Sequence, residues 1–409
     1  MKGASVAITG VSAYSARAYG RIPGANDRLN VGLIGCGNIG NSHLKALLEM
    51  ADEANIEVVG VCDVYQTRAQ HFQDRISKVG GNPARKRDYR ELLEMKEVDY
   101  VAIAVPEHQH AQMTLDTLDA GKHLYCEKPM THTLAEAQAV VSKVGQTGLK
   151  MQVGVQGMSD DSYSSANRAI RAGKLGPVVE AQMDYVRNYP VDLGPWKRGV
   201  RSDLPRPADL DWDAWLGSAP KRPWSASRYY EWRNYKDYSG GISSDLFIHR
   251  LTRILKACDL TYPKRMVGMG GIYLWDDGRE LPDSFELLGE YPAVEGVTPG
   301  MTVHMLGTMA NAHGLDHCIR GHKATLVFTK EGWKIIDEES KEILETHVKT
   351  GSESIGLHHR NLQSAIRFGS SLACPIELGL YGVAAIVMAN ESWFQKRMIS
   401  WDFEASKMV

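Results

Sequence analysis

From Leu29 onward, two periods alternate along the chain. LNVGLI is a continuous apolar run of strand length, and the segment that follows it, NIGNSHLKALLEM, spaces its apolar positions as an amphipathic helix does. IEVVGVCD, VDYVAIAV, HLYCEK and MQVGVQ repeat the uninterrupted apolar type. Strands without alternation are covered on both faces, as in a parallel sheet. Helical stretches separate them: one starts after Pro106 and is capped near Gly121, and another covers Thr133–Val144. This order predicts a doubly wound α/β sheet over 29–156.

Beyond residue 156 the pattern changes to short strands with turn signals between them. VVEAQMDYV, RMVGMGGIYLW, DSFELLGEYP, MTVHMLGT, HCIRG, ATLVFT and GWKIID predict one antiparallel sheet with a solvent-facing or partner-facing side. Two helical stretches, ESIGLHHRNLQSAIRFG and LGLYGVAAIVMANESWFQKRM, return to the first domain. The expected domains are 29–156, an α+β domain over 157–380, and a C-terminal helix and tail over 381–409, with an arm over 1–28. No internal repeat is present.

At 409 residues the chain is too long for one ordinary core. Its 43% hydrophobic and 23% charged content is that of a globular protein. A net charge of −2 gives no general attraction to nucleic acid or an anionic membrane, and no apolar run reaches the roughly 18 residues of a membrane span. The six cysteines form no CxxC pair and read as thiols. The close pairs among the fourteen histidines, His108/His110 and His358/His359, lack a third ligand at useful spacing, so no metal is expected. Before Asp27 there is no acid, and Ala16-Arg17-Ala18 resembles an export cleavage site. A periplasmic or exported location is expected if a twin-arginine start lies upstream, and a cytoplasmic one otherwise.

Three glycines give the first sheet its chemistry. Gly35, Gly37 and Gly40 form G-x-G-x-x-G between a strand and a helix. Gly35 permits the turn, Gly37 lets a pyrophosphate approach, and Gly40 lets the helix pack closely. The helix start, with Asn38 and Ile39, offers free N–H groups to the phosphates. Asp63 ends the next strand, 23 residues beyond Gly40, where an acid accepts from the adenosine ribose and repels a 2′-phosphate. NAD is therefore expected rather than NADP, with Arg68 near enough to leave NADP open. The carboxyl ends of such strands face the ligand, which places Pro106, His110, Glu127, Lys128 and Gln156 along the cofactor. Lys128, in EKPM, stands where a nicotinamide ring would lie.

G-C-G-N-I-G, Asp63, VPEHQHAQ, EKPM and GGISSDLFIHRL together resemble the Gfo/Idh/MocA family of NAD(P)-dependent oxidoreductases. The resemblance implies an N-terminal Rossmann domain and a C-terminal α+β domain with a large, mostly antiparallel open sheet. It also implies a dimer or tetramer. By this resemblance Lys128 contacts substrate and helps proton transfer, while Asp245 and His249 bind substrate. The QGMSDD loop at 156–161 departs from the basic run common in the family, and His322 stands where a shorter side chain is usual.

Asp245 and His249 are four apart and share a helix face. An acid one turn before a histidine can raise its basicity and make it a general base near pH 7. The stretch 190–238 holds five of the nine tryptophans, Trp196, Trp212, Trp215, Trp224 and Trp232, interleaved with tyrosines and with Arg198, Arg201, Arg228, Arg233 and Lys236. Aromatic faces with charged donors suit a sugar ring. DWDAWLG reads instead as a satellite core, and RYYEWRNYKDYSGG as a pocket wall. Tyr185, Arg233 and Tyr235 are the further substrate-binding candidates. Two enzyme readings follow: a sugar or cyclitol dehydrogenase, and a glycosidase that oxidises its sugar transiently, eliminates, hydrates and reduces back. A nucleotide sensor with a dead site is the third reading.

Overall fold

The computed structural model describes residues 27–197, 199 and 201–409. The first 26 residues, which hold nearly all of the expected arm and the Ala16-Arg17-Ala18 site, and Arg198 lie outside the described residues. Strands β1 (Leu29–Ile34), β2 (Ile56–Cys62), β3 (Ala84–Lys86), β4 (Tyr100–Ile103), β5 (His123–Glu127) and β6 (Met151–Gly154) form one parallel sheet in the order β3-β2-β1-β4-β5-β6. Val31, Leu33, Val101, Ile103 and Leu124 are at most 0% exposed, as a sheet covered on both faces requires. Each such side chain contributes about 1.5–3 kcal/mol on burial. Helices α1 (Asn38–Met50), α2 (Gln66–Lys78), α3 (Tyr89–Leu93), α4 (His110–Asp119) and α5 (Leu134–Thr147) connect the strands. The order in which strands are added reverses between β1 and β4, so the carboxyl ends of these two parallel strands open a crevice.

After α6 (Ser162–Arg171) the larger sheet begins with β7 (Val178–Asn188). The short helices α7 (Trp212–Leu216) and α8 (Ala226–Tyr230) lie in the aromatic stretch, and α9 (Ile248–Cys258) follows a π-helical turn over Ser243–Phe247. The sheet continues through β8 (Arg265–Gly271), β9 (Ser284–Tyr291), β10 (Met301–Thr308), β11 (Ala310–Asn311), β12 (Cys318–Gly321), β13 (Ala324–Phe328), β14 (Gly332–Asp337) and β15 (Ile343–Val348). Two helices follow, α10 (Ile355–Phe368) and α11 (Ile376–Gln395), then β16 (Ile399–Asp402) and β17 (Lys407–Met408). It has 11 strands and is mixed: β7 and β10 pair in parallel, and the remaining pairs run antiparallel.

Helix α11 packs on β8, α9 and α5, so one helix ties the two sheets together. It also runs through residue 381, where a boundary was expected. Gly268 in β8 permits this closeness, since a Cβ there would stand 2.0 Å from the Ala389 carbonyl oxygen. Helix α10 packs on α1. DWDAWLG forms a separate core, in which Trp212 and Trp215 stack at 4.8 Å.

Candidate active site

A cavity of about 730 Å³ runs from the glycine turn to the inner face of the larger sheet. At one end, Gly35 has φ +95°, and a Cβ there would lie 2.4 Å from the Ala104 carbonyl oxygen. At Gly40 a Cβ would lie 1.9 Å from the Gly35 carbonyl oxygen, so Gly40 packs the helix and does not line the cavity. Gly37 is different: the nearest atom to a Cβ there is Arg68 Nη1 at 3.8 Å, and its backbone faces open space beside the start of α1. Asp63 accepts from the Cys36 N–H at 2.8 Å and the Tyr65 N–H at 2.7 Å. Burial raises its carboxyl, only partly offset by Tyr65, Arg68 and Cys36. The Arg68 guanidinium lies over Tyr65 and Tyr229, at 5.4 and 5.3 Å from their ring centres. A cradle that a side chain at Gly37 would fill, beside a free helix N-terminus, fits the pyrophosphate of a dinucleotide.

Asn38, Ile39, Arg68, Pro106, His110, Glu127, Lys128 and Gln156 all line this cavity. Gln156 brings a buried Oε1 with no partner among the described residues, an acceptor left unsatisfied at the cavity wall. Glu127 is buried at the end of β5, where its Oε1 lies 2.9 Å from His43 Nε2. His43 Nδ1 meets His359 Nε2 at 2.8 Å, and Gln363 donates to the Tyr100 hydroxyl behind them. Burial pushes Glu127 up, but His43, then Lys128 and His110, outweigh it and hold the carboxyl low. A proton on Nε2 of each ring lets His359 donate to His43 and His43 to Glu127, an arrangement that favours the carboxylate anion.

His110 supports the same region from below. Both ring nitrogens face carbonyl oxygens, Pro129 at 2.6 Å and Val105 at 2.9 Å, so both must donate. Burial works against the charge, but the Cys126 side chain and these carbonyls raise the imidazole to about 9. The His110 ring is therefore a brace for the Val105–Pro106 turn and the cis Lys128–Pro129 bond.

Lys128 projects from β5 across the crevice. Its Nζ donates to the Asp245 carbonyl oxygen at 2.7 Å and to Asp245 Oδ1 at 2.9 Å. Asp245 is also 2.9 Å from Arg233 Nε and accepts from Trp196 Nε1 at 3.0 Å. Burial would push its carboxyl up, but the Arg233 and Lys128 charges hold it well below the usual carboxylate range. The π-helical turn aims Asp245 at these cations.

His249, one turn on, lines the cavity, and its ring makes no hydrogen bond among the described residues. The sequence pattern predicted an Asp245-activated histidine near pH 7. Asp245 does act upward, but burial first, then Lys128 and Arg253, hold the imidazole well below its ordinary value.

Tyr185 and Arg233 line the cavity as expected. Tyr235 does not: its ring is buried in the aromatic core with Arg228 over it at 4.4 Å. Tyr229, Tyr230 and Trp232 supply the wall instead. Sequence reasoning missed Glu107. It is 2% exposed and accepts from Ser239 at 2.8 Å, Ser244 at 2.9 Å and the Gly240 N–H at 3.1 Å, tying α4's approach to the glycines before Asp245. Its place in VPEHQHAQ next to Pro106 was the one available signal.

Fold and cleft define a dinucleotide-binding protein whose second, sheet-based domain closes the site. Residues 29–155 match the model of an oxidoreductase family with an NAD-binding Rossmann fold, and 169–265 match that family's C-terminal alpha/beta domain. Together the two span more than half of the chain, which belongs to the Gfo/Idh/MocA oxidoreductase family. An inositol 2-dehydrogenase of Salmonella paratyphi B is 32% identical over 149 residues, covering 36% of this chain and 43% of that relative, so less than half of the relative's length is matched. A glycosyl hydrolase family 109 protein of Shewanella baltica is 28% identical over 172 residues, 39% of this chain and 35% of the relative. Levoglucosan dehydrogenase, solved with NADH and L-sorbose, superposes with a TM-score of 0.68 at 18% identity, covering 91% of this chain and 98% of that one.

Proposed function

We propose that this protein is an NAD-dependent oxidoreductase that moves a hydride between a hydroxyl-bearing carbon of a sugar or cyclitol and nicotinamide. The observation that carries the reading is the Lys128 ammonium, held 2.9 Å from Asp245 at the carboxyl end of β5 and opening on the same cavity as the glycine turn. Gly35, Gly37, Asn38 and Ile39 would hold the pyrophosphate, Asp63 and Arg68 the adenosine, and Pro106, Glu127 and Gln156 the nicotinamide end. The bound dinucleotide supplies a hydride acceptor.

The chain's own residues handle the proton. Lys128 uses two of its three N–H donors on Asp245, which fixes its direction and leaves one for a substrate hydroxyl oxygen. Asp245 keeps the ammonium in place, and Arg233 stops that carboxylate from turning away. His249, neutral and with no hydrogen-bond partner among the described residues, accepts the hydroxyl proton. Charge developing on the oxygen is then met by the ammonium in a half-buried site, where such an interaction is strongest. Tyr185 and Trp232 line the cavity beside the substrate, each with a guanidinium over its ring.

The glycosyl hydrolase relative favours one second reading, a redox-neutral glycosidase using the same groups. One assay separates the two: purified protein is given NAD and either free inositols and sugars or aryl glycosides. Steady NADH formation from a free polyol supports the dehydrogenase. Aryl glycoside cleavage without net NADH contradicts it and supports the glycosidase.

A homo-oligomer belongs to the same proposal. Met269 (70% exposed) and Leu288 (50%) stand on the sheet face away from α11. Sedimentation reads the outcome directly, a dimer or tetramer being expected and a monomer contradicting it.

A further inference from the structure

The charges at the substrate end of the cavity do not balance. Lys128 and Arg233 share one carboxylate, Asp245. A third cation, Arg187, lies two residues from Tyr185 on β7, so both side chains face the cavity. Arg187 is half-buried and forms no ion pair with a carboxylate among the described residues. Its partners are two phenols: Nη1 donates to the Tyr189 hydroxyl at 3.0 Å and Nη2 to the Tyr185 hydroxyl at 3.3 Å.

The guanidinium also lies over the Tyr185 ring at 5.2 Å, and Arg250 lies over the same ring at 5.4 Å. Arg250 itself has an acid, Glu353 at 3.5 Å. The other acids that line the cavity are engaged elsewhere. Backbone N–H groups hold Asp63, Ser239 and Ser244 hold Glu107, and His43 holds Glu127.

Three cations therefore face one carboxylate where the substrate would sit. A half-buried guanidinium with neutral partners is costly unless a ligand brings the counter-charge. Rigid, planar and with N–H groups left over, it matches a carboxylate through two parallel hydrogen bonds. We propose that the substrate is a polyol that carries a carboxylate, a uronic or aldonic acid, and that Arg187 is the residue that binds this group. The inference rests on the oxidoreductase reading and narrows its substrate class.

Calorimetric titration of the protein–NADH complex tests it without turnover, using D-glucuronate, D-glucose and D-glucose 6-phosphate. Steady-state rates with NAD are measured on the same acids and neutral parents. The acid is expected to bind and turn over at least 10-fold better than its neutral parent, the scale of one charge-assisted bidentate contact. In Arg187→Gln that ratio is expected to fall to near one, and in Arg187→Lys to an intermediate value. Because a ratio within one variant is read, loss of overall fold quality does not mimic the result. A wild-type ratio near one, a preference for the phosphate, or a ratio that survives Arg187→Gln overturns the proposal. If NADH binds and the acid binds with the expected preference, yet no polyol or acid yields NADH, the oxidoreductase reading fails while the carboxylate site stands.

Discussion

Lys128 carries the account at the scale of single residues. Its ammonium is positioned by Asp245, which Arg233 also contacts, so removing the amine leaves the pocket's outline but not its donor to the substrate oxygen. Lys128→Met is expected to lower kcat by roughly 10²- to 10³-fold, the usual worth of one donor aimed at a developing oxyanion, with dinucleotide affinity changed far less. Steady-state kinetics beside fluorescence titration with NADH separates the two effects, and an unchanged kcat contradicts the assignment.

His249 gives a prediction in pH. Its folded-state value is depressed, so the neutral imidazole persists as pH falls past 6.5 and is lost only lower down. The acid limb of kcat/KM for polyol oxidation should therefore lie below 6.5. A limb at or above 6.5 that disappears in His249→Asn shows instead a histidine poised near neutrality. The pairing of Asp245 with His249 was read from spacing, which shows that two residues share a face. Spacing could not show that Trp196, Arg233 and Lys128 converge on the same carboxylate from 49, 12 and 117 residues away.

Among the elements, the glycine turn offers the sharpest contrast. Gly40→Ala puts a Cβ 1.9 Å from the Gly35 carbonyl oxygen, and either α1 or β1 must move. Such overpacking typically costs 1–3 kcal/mol, and the cradle distorts with it. Gly37→Ala meets its nearest neighbour, Arg68, at 3.8 Å, an ordinary contact. Gly37→Ala should keep the wild-type melting temperature within about 1 °C while weakening NAD at least 10-fold, whereas Gly40→Ala should lose both. Equal NAD affinity in Gly37→Ala and wild type contradicts the pyrophosphate position.

These elements were legible because their patterns are local: continuous apolar runs for buried strands, helical spacing for α1, turn glycines between them. The parallel pairing of β7 with β10 was not, since those strands are more than a hundred residues apart and nothing local sets their relative direction. Edge strand β15 escaped because ILETHV, with most of its residues exposed, carries no clean alternation. The RYYEWRNYKDYSGG stretch was read as one wall, but the fold splits it, sending Tyr229, Tyr230, Trp232 and Arg233 to the cavity and Tyr235 and Tyr238 into the core.

Across the whole molecule, buried histidines link folding to pH. Burial lowers His108 to about 3 and His358 to about 4, and drives His249 and His359 well below their ordinary value. Below pH 6.5 the unfolded chain protonates these rings and the folded one does not, so stability falls on acidification. Each group contributes about 1.4 kcal/mol per pH unit between 6.5 and its folded value. His110 acts oppositely: raised to about 9, it adds stability below 6.5 that is lost as pH climbs through 9. It is charged in both states below 6.5 and does not cancel the acid slope. Urea midpoints should drop steadily from pH 7 to pH 5, and a flat profile contradicts neutral burial of these rings. The network behind Glu127 joins His43 to His359, 316 residues apart, which explains why it was invisible in sequence.

The central claim is that a hydroxyl-bearing carbon of the substrate gives up its hydrogen inside this cleft. The most direct measurement uses a polyol, neutral or acidic, deuterated at every hydroxyl-bearing carbon, mixed with NAD and purified protein, with the reduced dinucleotide read by mass spectrometry. The account predicts NADH one mass unit heavier, with no label passed to water. NAD bound but never reduced, or NADH formed without the label, contradicts it.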